Sequence, residues 1–258
     1  RATTQSIGWK SGWTRRSADF AAARPVRKLR RDPLWAAQTR QDGRLVSMTL
    51  TPEILLRAYG MGIFPMAESR EDQRVHWIDP KLRGVFPLDN FHISRRLSRH
   101  IRAWNCIIRT NTAFEAVLDA CANREETWIN APLRRAYLAL HAAGHAHSVE
   151  VWSQGRLAGG VYGVTLGAGF FGESMFSAET GGSKVALAYL VHRLRAGGYR
   201  LFDTQFLTPH LASLGAVEIS RVEYHRQLAT AIALPARFDP TGYSVSPSSV
   251  VSVTSGGS

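Results

Sequence analysis

The stretch "GFFGESMFS" (169–177), followed by "SKVALAYLVHRLRAGG" (183–198) and "YRLFDTQF" (199–206), decides how this chain is read. The outer two runs have strand composition, and the middle one has helix periodicity with Gly197–Gly198 as its stop. Both strands carry acid or amide groups among aromatic neighbours: Glu173 in the first, Asp203 and Gln205 in the second. Side chains alternate across a strand, so Asp203 and Gln205 share a face while Phe202, Thr204 and Phe206 take the other. The same rule puts Glu173 with Phe171 and Met175. An unpaired buried carboxylate is costly. Either these groups are matched for structure, as a salt-bridged core acid or the polar face of an edge strand, or they face a substrate.

Working outward, "HSVEVWS" (147–153) and "LAGGVYGVTLG" (157–167) precede the first strand, with Gly155 and Gly167 at the turns. Three such runs predict an antiparallel meander. Helices are expected at 51–60, 93–103, 112–122, 133–144, 208–215 and 221–234, and short strands at 84–88 and 106–110. "GIFPMAE" (62–68) and "VHWIDP" (75–80) read as loops. Meander, helix, strand, helix is an α+β plan: a mixed, largely antiparallel sheet with packed helices. The expected division is a disordered basic extension at 1–47, a small N-terminal domain at 48–110, a larger domain at 111–243 and a flexible tail at 244–258.

The 258 residues are 45% hydrophobic and 20% charged, enough for a sizeable core. The net charge of +12 points to an anionic partner such as nucleic acid. Residues 1–47, however, hold 11 Lys and Arg against 3 Asp and Glu, so the body is only mildly basic. Two cysteines, Cys106 and Cys121, form no disulfide scaffold and suit a reducing cytoplasm. No apolar run is long enough to span a membrane. His145 and His147 lack a third ligand nearby, so no metal is expected. At "SAETGGSKVAL" (177–187), Ser183 and Lys184 start a helix that could hold a phosphate or be simply capped by Ser183. No Walker, acetyl-CoA or G-x-S-x-G pattern occurs.

"GIFP", "FHISR", "TWIN", "GHAHSVEVW", "GGVYGV", "FFGESMFS", "SKVAL" and "DTQFLTPHLASLGA", in that order, resemble the bacterial leucyl/phenylalanyl-tRNA–protein transferases from about Leu50 to Leu234. The resemblance implies a GNAT-like C-terminal domain and a monomeric, cytoplasmic enzyme without a cofactor. It implies transfer of Leu, Phe or, less well, Met from aminoacyl-tRNA to proteins that begin with Arg or Lys, marking them for N-end rule degradation. It assigns catalytic roles to Asp203, Gln205 and Glu173. Trp128 becomes a substrate-binding aromatic, and Ser183 and Lys184 at the helix start are further candidate substrate-binding residues. Phe170, Met175, Leu187 and Phe202 become an aminoacyl pocket, joined by Met66 where many members have Trp. Asp203 is expected to orient the Gln205 amide. With no cation evident beyond Lys184, Glu173 and Asp203 would pair with the acceptor's positive charge. The alternatives are a GNAT-type acetyltransferase and a non-enzymatic tRNA-binding module.

Overall fold

The computed structural model describes residues 50–252. The expected extension at 1–47 and the last residues of the tail lie outside them. Helix α1 (Pro52–Gly60) starts as anticipated: Thr51 Oγ1 accepts the Ile54 N–H at 3.4 Å, and Pro52 needs no donor partner at this position. The two segments read as loops are instead strands β1 (Phe64–Met66) and β2 (His76–Ile78), paired antiparallel in a ribbon of their own. Their Pro and Gly content concealed them.

The main sheet contains β3 (Leu82–Phe86), β4 (Ile107–Thr110), β5 (Ala146–Ser153), β6 (Arg156–Leu166), β7 (Gly169–Ser177), β8 (Leu201–Gln205) and β9 (Val217–Ser220). Their order across it is β4-β5-β6-β7-β8-β3-β9. The meander β5–β6–β7 is antiparallel. β7 and β8 run parallel, because helix α5 (Gly182–Ala196) carries the chain back between them. The sheet is therefore mixed. It draws strands from both sides of position 110.

Helices cover both faces. Helices α1, α3 (Phe114–Ala122), α4 (Ala131–Ala142) and α7 (Arg221–Ile232) build one core around Tyr59, Val117, Tyr137, Tyr162, Phe171 and Tyr224. Helices α2 (Arg95–Ala103) and α5 build the other around Leu97, Val161, Phe170, Met175, Leu187 and Phe202. Successive residues such as Val161 and Tyr162, or Phe170 and Phe171, enter opposite cores, as strand alternation requires. Short helix α6 (Pro209–Ala212) follows β8. The tail is ordered further than its composition suggests. Pro247–Ser252 form helix α8, with Val250 and Val251 buried in the second core, which corrects the expected flexible tail over those residues.

Two irregularities shape the centre of the sheet. β7 and β8 pair only at Gly169↔Leu201, Phe170↔Phe202 and Phe171↔Asp203. Beyond that, residues 172–177 pair with β6 alone, and Gln205 pairs with Gly84 of β3. Beyond Phe171 the two strands share no ladder pairs, and the Gln205 side chain bridges them to Glu173 at 3.2 Å. Each strand carries a bulge: Glu173 is the extra residue between Gly172 and Ser174, and Thr204 between Asp203 and Gln205.

The start of α5 is set by glycines rather than by the expected Ser183 cap. Gly181 is the N-cap at φ +85°, and the Ser183 N–H donates to Ser177 Oγ at 2.8 Å. Gly182 lies against β6, where a Cβ on Gly159 would sit 2.5 Å from the Gly182 carbonyl carbon. Gly159→Ala should therefore destabilise the protein by about 1–3 kcal/mol, as overpacking does. A urea titration would show this as a lower midpoint with an unchanged slope.

Candidate active site

The site is built around Asp203. It is fully buried, as is Arg83 of β3, at 1% exposure. The guanidinium grips the carboxylate with both prongs: Nε donates to Oδ1 at 2.9 Å and Nη2 to Oδ2 at 2.7 Å. Tyr224 of α7 donates to Oδ2 at 2.8 Å, and Arg83 Nη1 donates to the Gly62 carbonyl at 2.9 Å. The rings of Phe64 and Tyr224 face the guanidinium at 4.6 and 4.3 Å. Burial alone would lower the Arg83 pKa, but Asp203 reverses this and the net shift is upward. Asp203 is thus not a free carboxylate awaiting a cationic substrate. The expectation that no cation beyond Lys184 stood near is corrected by Arg83.

Glu173 is the second buried acid. The bulge turns it and Ser174 toward the first core and puts Met175 in the second, so Met175 does not share its face as strict alternation required. Tyr59 of α1 donates to its Oε1 at 2.8 Å and Tyr137 of α4 to its Oε2 at 2.6 Å. Burial, with the charge of Glu173 second, holds both tyrosine hydroxyls far above their usual pKa, so they remain donors.

Gln205 joins the two acids. Its backbone N–H donates to Asp203 Oδ1 at 2.8 Å, and its side-chain Nε2 donates to Glu173 Oε1 at 3.2 Å. Asp203 therefore fixes the Gln205 backbone, while Glu173 orients the amide, a role the sequence reading gave to Asp203. Gln205 also stands at φ +62°, a left-handed conformation that a non-glycine residue adopts at a cost. Its Oε1 is buried and accepts no hydrogen bond. Thr204 is the bulged residue, and Phe206, expected beside Phe202, instead meets Phe64 edge-on at 5.6 Å in the first core.

The expected aminoacyl pocket is divided by the sheet. Phe170, Met175, Leu187 and Phe202 do meet, all fully buried in the second core, with Phe170 and Phe202 edge-to-face at 5.3 Å. Met66 and Trp128 lie in the first core, with the Ala67 N–H donating to the Trp128 carbonyl at 3.2 Å. Ser183 and Lys184 line a groove of about 830 Å³ between α2 and the start of α5. Arg96, Arg99, His100 and His210 line it too, with Glu179 as its one acid, so its charge is positive. None of Glu173, Asp203 or Gln205 reaches that groove.

A leucyl/phenylalanyl-tRNA protein transferase family model matches residues 85–229, and the model of that family's N-terminal domain matches residues 48–81. A leucyl/phenylalanyl-tRNA–protein transferase of Cereibacter sphaeroides (strain ATCC 17025) is 62% identical over 202 residues, covering 78% of this chain and 94% of the relative. Those of Jannaschia sp. (strain CCS1) and Ruegeria pomeroyi are 61% and 63% identical, covering 73% and 72% of this chain and 89% and 88% of theirs. The chain belongs to the leucyl/phenylalanyl-tRNA–protein transferase family. As a member it is a transferase enzyme. Its small N-terminal domain, expected from the sequence, corresponds to a family domain of its own.

Set against this transferase family, the sequence reading found the acids and the amide but missed what holds them. Arg83 lies at residues 82–84, between the two family matches, and its signal was a lone charge within the apolar run "LRGVF". Tyr59, Tyr137 and Tyr224 carried no signal, since a buried tyrosine resembles any core aromatic. Among the described residues, Glu68, Asp72 and His76 bring three possible metal ligands within 4.8 Å of one another. Arg74 already donates to both oxygens of Asp72, at 3.0 and 3.3 Å, and opposes a cation there.

Breaking a buried ion pair leaves an uncompensated charge and costs about 3–5 kcal/mol. Arg83→Met and Asp203→Asn should each lower stability by that amount. The double substitution should cost less than their sum in a denaturation-based double-mutant cycle. Asp203→Asn is accordingly a test of folding as much as of catalysis.

Proposed function

We propose that the chain transfers Leu, Phe and, less well, Met from aminoacyl-tRNA to the α-amine of proteins beginning with Arg or Lys, and that Gln205 positions that amine. The observation that carries this reading is Gln205 Oε1: a buried acceptor without a donor, just past the point where the pairing of β7 with β8 ends. A buried acceptor left unmatched is costly, and an incoming N–H would satisfy it.

The chemistry asks little more. An aminoacyl ester is already activated. An α-amine has a pKa near 8, so roughly a tenth is neutral at pH 7. An amide oxygen is too weak a base to keep a proton; it orients the nitrogen lone pair toward the ester carbon. The C–N bond forms, the ester C–O bond breaks, and the amine proton ends on the departing ribose oxygen. Holding the reactants together contributes on the order of 7–11 kcal/mol. Glu173 brings its carboxylate to the Gln205 amide at 3.2 Å, while the Asp203 carboxylate is already gripped by Arg83. This favours a positive first residue through charge-assisted hydrogen bonds. Phe170, Met175, Leu187 and Phe202 offer the donor side chain only apolar contact, and Trp128 and Met66 offer the donor further apolar surface on the other side of the sheet. The positive groove at Arg96, Arg99 and Lys184 suits the tRNA backbone. A monomer in the cytoplasm is sufficient for all of this.

Steady-state transfer from one charged tRNA tests the assignment. Gln205→Met keeps the side-chain length but loses the acceptor; kcat should fall about 10²-fold or more, as for loss of a proton-handling group, with the unfolding midpoint retained. Peptides differing only in residue one should react when it is Arg or Lys. Equal rates for peptides starting with Ala or Glu would remove the acceptor reading.

A further inference from the structure

A second arginine, half-buried at the edge of the first core, is treated quite differently from Arg83. Arg124 lies in the loop between α3 and α4, where Asn123, Glu125 and Glu126 are exposed. Its side chain alone folds inward. Its Nε, Nη1 and Nη2 are all buried, and none has a hydrogen-bond partner. The titratable groups it senses are Cys121 and Tyr162. Burial pushes the Cys121 thiol up to about 12 and the Tyr162 hydroxyl well above its usual value, so neither offers a negative charge at neutral pH. Tyr162 Oη is also buried without a hydrogen-bond partner. Five N–H donors of a permanent cation are thus left unmatched, an arrangement far costlier than a neutral polar group. The same chain matches Arg83 completely, so failing to match Arg124 is not a limit of the fold.

The place of this residue suggests what would match it. Four residues on, the loop reaches Trp128, whose ring meets Tyr137 edge-on at 6.3 Å, and Tyr137 meets Tyr162 at 5.6 Å. We propose that Arg124 is an anion receptor of the donor site, leaving its inward position to pair with the phosphodiester that links the terminal adenosine to the preceding nucleotide. This rests on the reading of Trp128 as part of the donor site. A guanidinium fork fits a phosphate bidentately. The donor brings one phosphodiester per nucleotide past this loop, whereas the acceptor is selected for positive charge. Because the inward position gives the guanidinium no hydrogen bonds, little is lost when it departs.

The test compares non-hydrolysable donors by calorimetric titration. One is an adenosine with leucine in 3′-amide linkage. The second carries cytidine through a 5′-phosphodiester, and the third carries it through an uncharged methylphosphonate. Wild type should bind the phosphodiester compound at least tenfold more tightly than either of the others. Arg124→Met should remove that advantage, leave affinity for the adenosine compound unchanged, and keep or raise the unfolding midpoint, since it deletes an unmatched buried charge. Arg124→Lys should retain part of the advantage. The proposal is overturned if wild type shows no phosphodiester advantage, if Arg124→Met preserves it, or if Arg124→Met lowers the midpoint without altering it. Failure of the adenosine compound itself to bind would instead remove the donor-site reading of Trp128.

Discussion

The bidentate pair between Arg83 and Asp203 is the constraint on which the centre of the molecule depends. It joins β3 to β8 through side chains at the point where their backbone pairing is interrupted by the Thr204 bulge. It also reaches α7 through Tyr224 and the start of β1 through the Gly62 carbonyl. Two charges removed from water are tolerated only when nearly every lone pair and proton is used. Here that demand ties β3 and α7 to the carboxylate of β8, and through Arg83 the segment before β1 as well. Its remaining bond, from the Gln205 N–H, passes this order to a side chain whose own acceptor is left open.

Glu173 completes the arrangement from the adjacent strand. It takes hydrogen bonds from α1, α4 and β8, so helices far apart in sequence converge on one bulged residue of β7. Gln205 is then held at both ends, by Asp203 through its backbone and by Glu173 through its amide nitrogen. A left-handed backbone at a non-glycine residue persists only when its surroundings dictate it. The strain at Gln205 and its unsatisfied oxygen occur in the same residue. This is the pattern expected where local stability has been given up for chemistry.

Much of this could be read from residues. The meander, the α5 crossover and the presence of Asp203, Gln205 and Glu173 in apolar strands all follow from periodicity and from the cost of burying polar groups. What could not be read depends on pairing between distant segments. Strict alternation misplaced Met175 and Phe206 because a bulge shifts the side-chain parity by one, and nothing in "GESMFS" or "DTQF" announces it. The role of Asp203 was misread because its partner lies 120 positions away on another strand. Ser183 looked like a helix cap, yet glycines on both sides of the contact let the helix start lie directly on β6. Val250 and Val251 were hidden in a serine-rich tail whose composition gives no sign of a core to fill.

The short parallel seam between β7 and β8 gives the sheet an inner edge as well as its two outer ones. After Phe171, one side of β7 has no neighbouring strand, although β7 stands in the middle of the sheet. An exposed edge of this kind ordinarily invites a foreign chain to add itself, with aggregation as the result. Here the helices packed on both faces of the sheet cover the unpaired stretch of β7, whose residues 173 to 176 are fully buried, so the edge is closed to the sideways addition of a foreign strand.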